Sequence, residues 1–270
     1  PTYAITPKEG IEYRFPDLTI NYARGCDINS DNTDDFQEAK NAAAISDIVI
    51  YVGGLDKYQE GEGYGIGGDR KSGSVALPGQ QQNLINELSS VNDDVIVVLE
   101  SGGICSVEES INNIDGLLYA FYPGQEGGRA IADVIFGLIN PSGKLPVTMP
   151  KNDSQLPLWN DSNFSGDVLN GFGYRRFDDL DMTPRFPFGY GLSYTSFEYS
   201  NIIVEPVDFD SSHSVIVKCD ISNTGSRSGD EIVQLYLSTE DLSVEMPKKQ
   251  LRGFDRVSLE PGEKKTINFT

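Results

Sequence analysis

DVIVVLESGG, residues 94–103, is the stretch that decides the fold. Asp94 opens it, Val95 to Leu99 form an unbroken apolar run, and Gly102-Gly103 close it. A strand with one wet face alternates polar and apolar residues, so an unbroken run is expected of a parallel strand buried on both faces. Upstream, NAAAISDIVIYVGG (41–54) reads as the end of a helix running into a strand at Ile48–Val52. Between the two strands, residues 78–90 read as a helix with Leu84, Ile85 and Leu88 on one face. Downstream, DGLLYAFYPG (115–124) is a further buried strand. Residues 125–138 then predict an amphipathic helix with Ala130, Val134 and Leu138 aligned, stopped at Asn140-Pro141-Ser142-Gly143 and followed by a short strand, KLPVTMP (144–150). Strand and helix alternating at this spacing predict an α/β fold, a mainly parallel sheet sandwiched by helices.

Beyond residue 150 the texture changes. Residues 151–195 are loop-rich and aromatic, and from about Phe197 the chain reads with period two. SVIVKCDISNTG aligns Val215, Val217, Cys219 and Ile221 on one face. EIVQLYLS places Val233, Leu235 and Leu237 opposite Ile232, Gln234 and Tyr236, and KKTINFT supplies another strand after a Pro261-Gly262 turn. Short alternating strands between such turns predict an antiparallel immunoglobulin- or fibronectin-III-like β-sandwich, incomplete where the sequence stops. The predicted division is 1–199 for the α/β domain and 200–270 for the sandwich. Phe186, Phe188, Tyr190, Tyr194 and Phe197 are too apolar for a free linker and are expected to pack at that boundary.

Composition excludes several functions. The chain has 41 Asp plus Glu against 21 Lys plus Arg, a formal charge of −20, which repels nucleic acid and anionic membranes. No apolar run is long enough for a membrane span, and the first residues lack a signal peptide's pattern. Cys26, Cys105 and Cys219 are far apart and show no metal-ligand spacing, which leaves room for one disulfide bridge at most. The one histidine, His213, stands in a polar stretch with no nucleophile elbow around it. No metal and no cofactor is expected, and any catalysis must rest on carboxylates.

Those carboxylates stand in LDKYQEGEGYGIGGDRKSGSVALP (55–78), which leaves the first strand at its C-terminal end. Glu60 and Glu62 sit on glycine-rich backbone beyond a strand, where α/β proteins usually place their chemistry. Flanking glycines suit a group that must turn between protonating a leaving oxygen and activating water. The segment 63–68 also satisfies G-x-G-x-x-G, but its glycines open no helix and the two glutamates would repel a pyrophosphate.

Several of these stretches together resemble glycoside hydrolase family 3. EGEGYGIGGDR, LPGQQQNLI, YPGQEGG (122–128), NPSGKLPVTMP (140–150) and FPFGYGLSYTSFEYS (186–200) are similar to that family's second, α/β sandwich domain. NTGSRSGDEIVQLYL and KKQLRGFDRVSLEPGEKKTINF are similar to its fibronectin-III-like module. The resemblance implies a retaining exo-acting β-glycosidase, whose two carboxylates lie about 5 Å apart. It implies Glu62 as acid/base, with Glu60 the alternative, and an aspartate nucleophile on a TIM barrel. The 46 residues before the first strand are too few for a barrel of about 250, so the barrel is expected on another segment or chain, and this chain alone is expected to be inactive.

Asp69 and Arg70 are expected to pair at the base of the loop, Tyr64 either to face the sugar or to pack under its own loop, and Glu100 and Glu126 to be structural. The implied partners are that barrel and a β-linked oligosaccharide or aryl glycoside. β-Glucosidase is favoured, with a β-xylosidase or a non-catalytic carbohydrate-binding or scaffolding fragment as alternatives. Tyr236, Phe254 and Phe269 read as packing residues of the sandwich. Sequons at Asn152, Asn160, Asn163 and Asn268 suit a secreted protein.

Overall fold

The computed structural model describes residues 3–60, 74–157, 171–206, 214–238 and 246–270. The chain divides into two compact units: residues 1–135 with 149–160, and residues 136–148 with 161–270.

In the first unit a parallel sheet runs in the order β1 (Val49–Gly54), β2 (Val95–Glu100), β3 (Gly116–Tyr119). Val49 pairs with Val95 and Gly54 with Glu100, while Ile96 pairs with Gly116 and Leu99 with Tyr119. The central strand behaves as its apolar run demands. Val97 and Leu99 join a core with Ala39 and Ala43 of α2 (Phe36–Ala44) and with Leu84, Ile85 and Leu88 of α3 (Gln81–Ser89). Val98, which points the other way, is equally inaccessible. Each such side chain contributes about 1.5–3 kcal/mol by leaving water.

A helix that the sequence pattern does not announce, α1 (Pro7–Arg14), opens the unit. Thr6 caps it: the Glu9 amide donates to the Thr6 hydroxyl at 3.3 Å, and the Thr6 amide donates to the Glu9 carboxylate at 2.8 Å. It packs on α4 (Gly127–Ile135) so closely that a Cβ on Gly10 would lie 2.1 Å from the Gly128 carbonyl oxygen. This contact corrects the predicted face of α4. Gly127, Gly128, Ile131 and Ala132 are buried, whereas Ala130 and Leu138 are exposed, because the approach is backbone to backbone and needs glycine rather than large apolar residues. The helix stops at Ile135, with Gly137 following at φ 70°.

The second unit holds two antiparallel sheets, β4 (Phe197–Glu205)–β5 (Ile216–Asn223)–β8 (Lys264–Phe269) and β6 (Gly229–Leu237)–β7 (Gln250–Leu259). Their core contains Cys219, Ile221, Val233, Val257, Leu259 and Ile267, so β5 buries the Cys219–Ile221 face and β6 buries Val233, while Leu237 at the end of the Val233 face is exposed. On β7, Phe254 is 71% exposed beside Arg252 and Arg256 on the outer side, which corrects its reading as a packing residue: its position in the alternation turns it away from the core that Val257 and Leu259 enter. KLPVTMP is not a strand. Its Lys144 ammonium instead donates to the Gly191 carbonyl at 2.8 Å, and Leu145 exchanges backbone bonds with Gly189 and Tyr190.

Asn140 links the same region to β6 and the preceding loop, donating to Ser228 O at 3.0 Å and accepting from the Tyr194 amide at 2.8 Å. Ahead of β4 the Phe186 and Tyr190 rings stack at 5.0 Å and Phe188 lies 5.2 Å from Tyr174 of α5 (Gly173–Asp179), but Tyr190 and Tyr194 remain exposed, so the expected packing of all five aromatics is only partly formed. All three thiols are free, so the one disulfide that the cysteine count allowed is not formed.

Candidate active-site edge

The C-terminal edge of the parallel sheet brings together three chain segments: 54–60 after β1, 101–105 after β2 and 120–124 after β3. Gly54 makes the departure after β1 possible. It has φ 135°, and a Cβ there would lie 2.1 Å from the Glu100 carbonyl oxygen. The buried amide of Gln81, at the start of α3, fastens this point. Its Oε1 accepts from the Gly54 amide at 2.8 Å and from the Tyr51 hydroxyl at 3.1 Å. Its Nε2 donates to Gly54 O and Ile28 O, both at 2.9 Å.

The segment after β2 is equally constrained. Cys105 donates its amide to the Tyr119 hydroxyl at 3.0 Å, and that hydroxyl donates in turn to Gly103 O. Burial pushes the Tyr119 phenol well above its usual range, so it stays a neutral donor. Ser101, wholly inaccessible, donates to Gly103 O at 2.5 Å. The Gly102 and Gly103 amides are thereby turned outward as a pair, and Glu60 takes both. Its Oε2 accepts from Gly102 at 3.1 Å and its Oε1 accepts from Gly103. The sequence motif ESGG therefore serves as a receptor for a carboxylate, a role that sequence reasoning did not assign to it.

Of the other residues singled out from sequence, Glu62, Tyr64, Asp69 and Arg70 lie outside the described residues. Glu100 ends β2 half-buried, and burial raises its carboxyl above the usual range. Glu126 accepts from the Tyr3 hydroxyl at 3.0 Å and pairs with Arg129 at 2.8 Å, a surface arrangement that ties the N-terminal segment to α4. Among the described residues, no group of three or more His, Cys, Asp or Glu side chains could hold a metal ion.

The Glu60 anchor makes a direct prediction. In Glu60→Ala the Gly102 and Gly103 amides lose their acceptor, so their hydrogen exchange should quicken by about tenfold while that of Val97 stays unchanged. Equal exchange in the two proteins would show that the carboxylate does not hold this edge.

A sheet of this order, with a carboxylate-bearing loop at its C-terminal edge, is matched by the Glycosyl hydrolase family 3 C-terminal domain over residues 1–194. The chain belongs to glycosyl hydrolase family 3. A Fibronectin type III-like domain matches residues 231–270 of this family 3 chain. It is 38% identical to a β-xylosidase of Formosa agariphila, covering 100% of this chain and 36% of that protein. It is 39% identical to the thermostable β-glucosidase B of Acetivibrio thermocellus, covering 94% and 34% respectively. The crystal structure of the Bifidobacterium adolescentis GH3 β-glucosidase superposes with a TM-score of 0.86 at 31% identity, covering 100% of this chain and 39% of that one. The chain thus spans about a third of the length of the family 3 relatives it matches.

Proposed function

We propose that this chain supplies the acid/base half of the active site of a retaining, exo-acting β-glycosidase of β-glucosidase type. Glu62 is the acid/base, and the aspartate nucleophile belongs to a TIM-barrel domain. The substrate class is a β-linked oligosaccharide or aryl glycoside. The observation that carries the choice of Glu62 is the engagement of Glu60: both its oxygens accept backbone N–H bonds. A group that must swing between leaving oxygen and water cannot also be that anchor. Glu60 fixes the start of this segment, and Glu62, two residues on, stands between glycines in the sequence, as suits a group that turns between acid and base duty. Tyr64 is assigned to the sugar and the Asp69–Arg70 pair to the loop base. In sequence terms the α/β module is 1–199 and the fibronectin-III-like module 200–270.

A split site has a plain consequence. The purified 270 residues should not hydrolyse an aryl β-glucoside above the background of their Glu62→Gln variant. Turnover by the chain alone that Glu62→Gln abolishes would overturn the proposal.

The second reading, a β-xylosidase, is favoured by the 38% identity to the Formosa agariphila β-xylosidase. Glucose and xylose differ by one hydroxymethyl group; one methylene of bulk is worth about 10–200-fold in specificity, and a hydroxyl that the site hydrogen-bonds is worth more. The kcat/KM ratio of the complete enzyme on aryl glucoside and aryl xyloside decides between the two readings.

A further inference from the structure

The second unit contains a cavity of about 530 Å³ that none of the preceding chemistry uses. We propose that it is a saccharide-binding pocket for a ligand of monosaccharide or disaccharide size. The volume lies within the range of small-molecule sites. Its wall is aromatic, formed by Tyr174, Phe188, Tyr190, Tyr199 and Tyr236. Tyr174 stands edge-on to Tyr236 at 6.0 Å and tilted to Phe188 at 5.2 Å, so rings of different orientation line one space. Such surfaces suit the C–H faces of a pyranose ring.

The polar groups point to the same ligand class. Lys144 lies 3.2 Å from Glu231, which also accepts from the Tyr199 hydroxyl at 2.8 Å, and Lys249 lies 3.0 Å from Asp178. The two cations and two carboxylates in the lining therefore cancel, and a charged ligand would have to break a pair that is already made. In the described lining, two buried atoms are without a hydrogen-bond partner: the Thr148 hydroxyl oxygen and Asp178 Oδ2. Thr148 is only 5% exposed, and a buried hydroxyl favours a site where a hydrogen-bond partner reaches it. The carboxylate oxygen can only accept, and the hydroxyl can accept or donate. A neutral ligand rich in hydroxyl groups satisfies both, and a saccharide combines those hydroxyls with apolar ring faces.

Sequence reading placed Gln234 and Tyr236 on the face of β6 opposite Val233, and this pocket is what that face lines. Gln234 is spent internally, donating to Gly189 O at 3.0 Å and accepting from the Tyr236 hydroxyl at 2.7 Å, which holds the Tyr236 ring in place.

The test is a titration of the purified protein with glucose, xylose, cellobiose and xylobiose, followed by saturation-transfer NMR and calorimetry. Saturable binding is expected for at least one sugar, with a dissociation constant on the order of 1 mM. Thr148→Val keeps the side-chain shape and removes the unpaired hydroxyl, so it should weaken binding about tenfold with the melting temperature unchanged or raised. Asp178→Asn gives an independent readout of the second orphaned atom and should also weaken binding. Glu62→Gln should leave the affinity as it is, which separates this pocket from the acid/base assignment. Absence of saturable binding at tens of millimolar sugar would overturn the proposal. So would equal affinity in both pocket variants, or binding lost in Glu62→Gln but kept in Thr148→Val.

Discussion

In the complete enzyme, Glu62→Ala is expected to lower turnover of an alkyl or oligosaccharide β-glucoside by about 10²–10⁴-fold. These leaving groups depart only when protonated, and general-acid catalysis is worth a factor of that size. A dinitrophenyl glucoside leaves without a proton, so it should still glycosylate the nucleophile. The covalent intermediate should then accumulate, because the same glutamate has to activate the water that releases it. Azide needs no base and should restore turnover, giving the β-glycosyl azide. A variant in which poor and activated leaving groups slow equally would point to a positioning role. If Glu60→Ala shows the azide-rescued pattern and Glu62→Ala is near wild type, the assignment moves two residues. From its anchoring bonds, Glu60→Ala should instead slow all substrates alike, with no rescue.

Gln81→Leu is expected to destabilise the first unit by about 3 kcal/mol. The substitution nearly conserves volume, so the loss is one of hydrogen bonding. Gly54 forfeits partners for its amide and its carbonyl, and Ile28 O and the Tyr51 hydroxyl each lose one. Gln81 is 1% exposed, so water cannot replace the missing amide without opening the site. A urea melt should show a lower midpoint at unchanged slope. A change within about 0.5 kcal/mol, the scale of an ordinary surface substitution, would mean that the Gln81 amide adds nothing net to the fold. Because the lost bonds converge on Gly54, the complete enzyme should also lose activity under conditions where it remains folded.

The elements read most securely from sequence are those whose neighbours leave them no choice. Val95–Leu99 is apolar on both faces, so only the centre of a covered parallel sheet can hold it. Leu84, Ile85 and Leu88 recur at helical spacing because α3 buries that one stripe. The core faces of β5 and β6 follow from simple alternation. Glu60 and Glu62 were legible as candidates because the motifs of the matched family surround them.

Other features depended on partners distant in sequence. α1 carries no apolar stripe; it is placed by a capping box and by Gly10 meeting Gly128, a contact between residues 118 positions apart that no local pattern encodes. The same contact moved the buried face of α4 from Ala130 and Leu138 to its glycines. KLPVTMP reads as a strand by composition, yet its groups are satisfied by the loop at 189–191, which removes any need for a ladder. The anchoring of Glu60 also needed the tertiary structure, since only there do the Gly102 and Gly103 amides converge on its carboxylate. Local sequence determined the sheet strands β1 and β2, the helix α3 and the strands β5 and β6, because periodicity and turn chemistry act over a few residues. The tertiary structure decided which backbone groups meet across the sheet edge and in the pocket of the second unit, because hydrogen bonds and close packing are settled only when distant segments compete for the same space.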